Sequence, residues 1–361
     1  MILFSQNLVV DIHKAKNQKL EKLNIEIVNH PFISVIIPVF NEERYIKDCL
    51  DSVFSTDYPA DMFEVIVVDG NSQDKTMEIV SSYKKVRLFS NPKKIVPVSM
   101  NLGIKNAIGE YIIRLDAHAA YPANYFSALI QNSLNLNADN VGAIWQTDVK
   151  NKTPVSLAIK EVLSNKYGVG NALFRIGVDK ITEVDTVPFG CYRKDVFSRF
   201  GLYDERLVRN QDIELNKRIK ARGGKIYLIP DIYCTYYARE TYSALMKNNY
   251  NNGLWNILTV YYTKSWDSLS PRHFIPFAFV SAIFIGFILS VIRLKFIFVP
   301  IAIIFMYLLC LTIVYISKLR KKNLNYIKLL KAFIYLHFSY GVGSLVGICR
   351  ALKMKVTELW S

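Results

Sequence analysis

The chain has 361 residues, 51% of them hydrophobic, with a formal net charge of +15; it can bury a sizeable core, which excludes a small disulfide scaffold or a disordered tail. Residues 272–361 hold 12 Lys/Arg and one acid, a net of +11, whereas residues 1–271 carry only +4. Basicity gathered in the most apolar part points to a membrane surface and away from nucleic acid as a partner.

Residues 1–31 read as an N-terminal extension. Met1–Phe4 and Leu8–Val10 are too short for a signal peptide, and no positive charge precedes them. Lys14–Leu23 (KAKNQKLEKL) suits a short helix, solvated or lying on the membrane surface. Cys49, Cys191, Cys234, Cys310 and Cys349 are scattered and form no Cys-x-x-Cys pair. A disulfide framework and a zinc site are therefore not expected, and a reducing cytosolic setting fits.

Ile33–Val39 (ISVIIPV), Phe63–Val68 (FEVIVV) and Tyr111–Leu115 (YIIRL) are apolar runs of strand length, suited to a parallel sheet covered on both faces. Between them, Tyr45, Ile46, Cys49, Leu50, Val53 and Phe54 recur at helical spacing. Asn41 is placed to cap that helix, with Glu42 and Glu43 in its first turn. Thr76–Tyr83 and Val98–Ala107 read as further helices. This alternation predicts an α/β doubly wound sheet, whose ligands bind beyond the carboxyl ends of the strands. That rule selects Pro38–Glu42, Asp69–Asp74 and Asp116–His118. Neither G-x-G-x-x-G nor a P-loop is present, which removes the main support for dinucleotide and P-loop readings.

Further along, Gln211-Asp212 opens a helical pattern (Ile213, Leu215, Ile219) stopped by Gly223-Gly224. Tyr242, Tyr250, Trp255, Tyr261, Tyr262 and Trp266 then crowd one stretch, as in an interfacial helix. Phe274–Ile292 and Phe296–Ser317 are uncharged and long enough to span a bilayer, with a turn at Arg293–Lys295. Ala332–Cys349 is a weaker third run that either spans or lies in the interface. Gly343 and Gly347 have the spacing of a helix-packing face. Lys318, Arg320, Lys321, Lys322, Lys328 and Lys331 precede the third run without an acid, so their loop is expected to be cytosolic. Two spans, out and back, place residues 1–272 there too.

PVFNEE (Pro38–Glu43), VVDGNSQDKT (Val67–Thr76), NLGIKNAIGEYIIRLDAHA (Asn101–Ala119) and NQDIELNKRIKARGGKI (Asn210–Ile226) occur in this order. Together they resemble the inverting glycosyltransferases of family 2. LDAHAAYP and the apolar tail resemble the family's bacterial exopolysaccharide branch. The resemblance implies a GT-A fold over residues 32–240, a Rossmann-like, mostly parallel sheet flanked by helices. An aromatic interfacial segment (241–273) and a membrane region with two or three transmembrane helices (274–361) follow. It places the nucleotide at Pro38, Phe40, Glu42, Asp69, Asn101 and Arg114. Asp69 would accept the imide N–H of uracil, although many relatives carry a second Asp where this chain has Gly70. The plainer alternative is a turn with Gly70 at positive φ.

Asp116 and His118 stand where relatives have Asp-x-Asp. They imply a divalent cation on the sugar-nucleotide diphosphate, with Mn²⁺ favoured over Mg²⁺ by the imidazole. His118 alternatively forms only local hydrogen bonds. Asp212 would be the general base, or else an acid favoured by the helix dipole. Gly190, Arg209, Gln211 and Arg239 would contact the acceptor or the diphosphate, Gly190 serving equally for packing. Processive synthases carry Gln-x-x-Arg-Trp, which is missing here, so addition of a single sugar is expected. The implied reaction transfers a sugar, from UDP-hexose, to a hydroxyl of a polyprenyl-diphosphate-linked saccharide. The enzyme would sit in a bacterial inner membrane with its catalytic domain in the cytoplasm, conceivably within a polysaccharide assembly complex. Two alternatives stay open: transfer to polyprenyl phosphate itself, and a non-catalytic nucleotide-sugar-binding subunit.

Overall fold

Strand β1 (Ile33–Val39) is the strand around which the sheet is arranged in the computed structural model, which describes residues 30–360. The apolar pieces and the expected helix within residues 1–29 lie outside the described residues. β2 (Phe63–Asp69) and then β3 (Val86–Ser90) lie parallel on one side of β1, and β4 (Tyr111–Arg114) lies parallel on the other. The order continues through β8 (Cys191–Arg193), β6 (Asn140–Asp148), β9 (Ile226–Tyr237) and β5 (Ala119–Ala120), while β7 (Thr182–Glu183) also pairs with β9. β8 runs antiparallel to both β4 and β6, so the sheet is mixed, but its longer ladders are parallel, as expected.

Both faces of β1 are covered, which is why its sequence does not alternate. Ile33, Val35, Ile37 and Val39 pack with α1 (Ile46–Phe54) and α4 (Tyr125–Leu136). Ile36 packs on the other face, with Met100 and Ile104 of α3 (Val96–Asn106), and Leu215 and Ile219 of α9 (Gln211–Ala221) belong to the same core. α2 (Thr76–Ser81) is shorter than expected. Asn41 does not cap α1: the cap position is Tyr45, and Asn41 adopts a left-handed backbone at φ 55°. Between β6 and β7 lie α5 (Pro154–Leu163), α6 (Lys166–Val169) and α7 (Leu173–Ile176), and α8 (Val196–Phe200) follows β8.

The aromatic stretch forms α10 (Tyr242–Thr263). α11 (Ile275–Ile292), α12 (Phe298–Val314) and α13 (Tyr326–Trp360) complete the chain. Three helical stretches, Pro271–Ile292, Leu294–Lys322 and Tyr326–Glu358, are long and apolar enough to cross a membrane. The third apolar run is the middle of the longest of them. Its Gly343 and Gly347 do form a packing face, and the partner is α10. A Cβ at Gly343 would collide with the Tyr250 carbonyl, and Gly253 of α10 sits as closely against Tyr340. Small residues let the two backbones approach within a distance that larger side chains forbid.

Gly343→Leu is expected to destabilise the protein by about 1–3 kcal/mol, the usual penalty for overpacking. Thermal unfolding in detergent reads this, with Val342→Leu at the exposed neighbouring position as the unaffected control.

Candidate active site

The strand order reverses at β1, with β2 on one side and β4 on the other. Such a reversal leaves a crevice beyond the strand ends. The β1–β4 pairing ends at Ile36 and Arg114, and Leu115 N–H donates to Ile36 O across the last rung, at 3.0 Å. Pro38 lies past that point, so its missing N–H costs this ladder nothing. The loops after β1 and β2 brace each other. Gln73 N–H donates to Asn41 Oδ1 (2.8 Å), Asn41 N–H to Ser72 Oγ (2.9 Å), and Glu42 N–H to Thr76 Oγ1 (2.7 Å). This bracing holds Asn41 left-handed and directs Glu42 into the crevice.

Glu42, Asp116 and His118 meet there, each offering a ligand atom, all within 4.8 Å of one another. His118 Nδ1 is 3.0 Å from Asp116 Oδ1 and 3.1 Å from Glu42 Oε1. The turn is held from behind. Asp116 N–H donates to Tyr121 Oη (2.9 Å), Tyr237 N–H donates to His118 O (3.0 Å), and Ala119 pairs with Tyr236. Burial opposes the protonated imidazole, but the Asp116 and Glu42 carboxylates outweigh it and push the pKa up to about 10. Two carboxylates and an imidazole form a donor set that fits a divalent cation. Glu42, expected with the nucleotide residues, thus stands with the metal candidates.

Asp212 opens α9, where its Oδ1 accepts the Ile213 N–H at 3.0 Å. Its Oδ2 lies 3.6 Å from Arg114 Nη1. Arg114 was expected at the nucleotide, but its buried guanidinium faces Asp212 instead. Burial works against its charge, the Asp212 carboxylate outweighs that effect, and the guanidinium is held more firmly protonated than usual. Among the described residues, its Nε and Nη1 have no hydrogen-bond partner, nor does the buried Gln211 Oε1.

Other expected residues divide. Phe40 is exposed at the crevice mouth, near Lys94. Asp69 is buried and closes its own turn, accepting from Asn71 N–H (2.9 Å) and Ser72 Oγ (2.6 Å). In that turn Asn71, not Gly70, takes the positive φ. Asn101 is engaged within the fold. It donates to Tyr203 O (2.9 Å) and Glu205 Oε1 (3.1 Å) and accepts from Tyr203 N–H (3.0 Å), which uses both of its N–H groups. Gly190 leaves room for Asn140, whose amide would collide with any Cβ there. Arg209 Nη1 donates to Asn248 (3.0 Å) and Asn252 (2.7 Å), and Arg239 lies close enough to repel it.

Residues 34–200 match the family described as glycosyl transferase family 2. The chain carries a family 2 glycosyltransferase domain. A Methanococcus voltae protein is 29% identical over 231 residues, 62% of this chain and 72% of the relative. It is named dolichyl N-acetyl-alpha-D-glucosaminyl phosphate 3-beta-D-2,3-diacetamido-2,3-dideoxy-beta-D-glucuronosyltransferase. Succinoglycan biosynthesis protein ExoA of Rhizobium meliloti is 29% identical over 212 residues, 57% of this chain and 63% of ExoA. Mannosyltransferase PcManGT from Pyrobaculum calidifontis, solved with GDP-Man and Mn²⁺, has a TM-score of 0.56 at 15% identity, covering 86% of this chain and 88% of that one. This last likeness concerns the GT-A fold.

The family 2 match ends at residue 200, so Asp212, Arg209 and Arg239 come from the segment after it. Three asparagines of α10 belong to that segment's support and escaped the sequence reading. Asn248, Asn252 and Asn256 recur every four residues, which puts them on one helix face and was a usable signal.

With its pKa near 10, His118 carries a proton at neutral pH, and a cation must displace it. Apparent Mn²⁺ affinity should therefore rise about tenfold per pH unit between pH 7 and 8, one proton being released. Calorimetry in buffers of different ionisation enthalpy reads the proton, and His118→Asn should flatten the dependence.

Proposed function

We propose that this family 2 glycosyltransferase is an inverting, membrane-anchored enzyme. It moves one sugar from UDP-hexose to a hydroxyl of a polyprenyl-diphosphate-linked saccharide, at the cytoplasmic face of a bacterial inner membrane. The observation that carries the reading is the placement of two acidic centres at the carboxyl end of β4. Arg114 faces Asp212, and Asp116, two residues on, faces His118 and Glu42.

In this reading Asp212 takes the proton of the acceptor hydroxyl. That oxygen bonds to the anomeric carbon as the bond to the diphosphate oxygen breaks on the opposite face. One such displacement inverts the configuration, and the nucleoside diphosphate leaves with the electron pair. Arg114 fixes the orientation of Asp212. Glu42, Asp116 and His118 would hold a divalent cation, Mn²⁺ before Mg²⁺, which supplies charge neutralisation at the leaving diphosphate. Arg209 and Arg239 would add fixed positive charge there. Pro38, Phe40 and Asp69 line the base end, with Phe40 free to stack on the base.

The Methanococcus relative's name describes a sugar added to a dolichyl phosphate-linked sugar, which supports a saccharide hydroxyl as acceptor over a bare lipid phosphate. The three apolar helices and the acid-free run of basic residues between the second and third support anchorage with residues 30–272 in the cytoplasm.

Calorimetric titration of UDP into the detergent-purified protein tests the donor site. Binding should strengthen with Mn²⁺, and Asp116→Asn should remove that dependence. No heat with UDP, GDP, CDP or dTDP from folded protein would sink the reading. Asp212→Asn should lower turnover ~10²–10⁴-fold, the usual contribution of a general base, with UDP affinity unchanged; lost UDP binding would make Asp212 structural.

A further inference from the structure

Arg175 on α7 has no part in the reaction just described, yet its surroundings are those of a binding group. Its guanidinium carbon lies 4.5 Å from the Trp145 ring centroid and 5.2 Å from that of Tyr236. Trp145 and Tyr236 stack at 4.3 Å with planes 8° apart, and Tyr236 meets the His118 ring at 5.2 Å. The guanidinium is therefore two ring contacts from the candidate cation site.

Tyr236 hydrogen-bonds the guanidinium, yet two other N–H donors in this place have no partner among the described residues. Arg175 Nη1 and Trp145 Nε1 are both buried without a hydrogen bond. A single buried donor left unsatisfied costs roughly 1–3 kcal/mol. Among the described residues, no acid pairs with this charge either. Burial depresses the Arg175 pKa, and the groups that favour its protonation are Tyr236 and Cys234, neither of them a carboxylate. Burial likewise depresses the pKa of Arg209, and Arg239 repels it, although its Nη1 is hydrogen-bonded to Asn248 and Asn252.

The backbone adds a third sign. Phe189, which packs on Trp145 at 4.6 Å, is held at φ 49°. A bulky side chain in the left-handed region costs on the order of 1–3 kcal/mol and is kept where the surroundings demand it. The segment bearing Arg175 is bracketed by Gly170 (φ 64°) and Gly177 (φ 88°), conformations that glycine adopts without strain.

We propose that Arg175 and the Trp145 indole N–H form a binding site for a second oxyanion, a phosphate or a carboxylate carried by one of the two substrates. The inference rests on the glycosyltransferase reading and extends it to substrate class. A guanidinium offers an oxyanion two parallel N–H groups, and the aromatic face beneath fixes its plane. Arg175 as a residue is of intermediate exposure, so the segment that carries it reaches the surface. The anion is either the diphosphate of the lipid acceptor or a carboxylate on the donor sugar.

The test titrates full-length protein in detergent with Mn²⁺, using UDP, UDP-glucose, UDP-glucuronate, farnesyl diphosphate and farnesol. Wild-type protein should prefer one charged probe to its uncharged counterpart. Arg175→Ala should lose about tenfold or more in affinity for that probe, the worth of a charge-assisted hydrogen bond, while binding UDP as before. Loss confined to UDP-glucuronate assigns the carboxylate, and loss confined to farnesyl diphosphate assigns the acceptor phosphate. Trp145→Phe keeps the ring, removes the N–H, and should weaken the same probe by a smaller factor. Arg175→Lys serves if the alanine variant fails to fold, and it should not restore wild-type affinity. Wild-type protein that prefers neither charged probe, or Arg175 variants that match it with both, overturns the proposal. Failure of wild-type protein to bind UDP would overturn the donor reading instead, and the farnesyl diphosphate arm would still judge this site.

Discussion

Beyond Ile36 and Arg114, β1 and β4 stop pairing and their chains part. The rest of the site depends on that gap. A sheet covered on both faces has no room for charge within it, so polar side chains collect where the strands end. Glu42 enters from one lip and Asp116 and His118 from the other. Two carboxylates this close repel unless a positive charge stands with them. In the protein alone the protonated imidazole supplies it. A divalent cation at the same place would do so more strongly, and the geometry that draws a proton to His118 is the geometry that would draw a metal.

The second centre is positioned from the opposite direction, by the helices after the sheet. Arg209 is tethered to Asn248 and Asn252 of α10, and Asn210, left-handed at φ 62°, donates to Asn256 at 2.9 Å. Asn256 in turn donates to the Tyr340 hydroxyl on α13 and to the His273 carbonyl. The residue before α9 is thereby tied to the longest apolar helix, and the seating of Asp212 follows the packing of α10 on α13. The tethers are neutral amides. They fix Arg209 in place without cancelling its charge, which remains available to an anionic ligand.

Strands β1, β2 and β4 were legible because each is a continuous apolar run rich in β-branched residues, and the three long apolar helices because length and composition suffice to mark them; the other strands lack such a run and were not expected. Residues whose roles depend on distant partners were not. Asn41 suits a helix cap and a left-handed turn equally well, and the loop at Ser72–Gln73 decides between them. Asn101 sits in a motif shared with relatives, yet its amide turns to Tyr203 and Glu205, more than a hundred positions away. Arg175 and Trp145 come from separate elements and carry no local pattern at all. Gly343 and Gly347 were readable as a face, but that the face belongs to α10 emerges only from the packing.

Arg114 connects the two centres. Leu115 separates it from Asp116, so both side chains leave the end of β4 on the same side. Arg114 lies nearer Asp212, and the Asp116 charge adds a smaller stabilising influence on it. A buried guanidinium between two acidic groups keeps them from acting as a pair. Asp116 is left to share His118 with Glu42, whereas Asp212 faces Arg114 with one oxygen and accepts the Ile213 N–H with the other. Were Arg114 turned outward to a nucleotide, Asp212 would be without its compensating charge, and breaking such a partly buried pair costs more than it could return through one phosphate contact. Electrostatics therefore hold Arg114 against Asp212, inside the crevice.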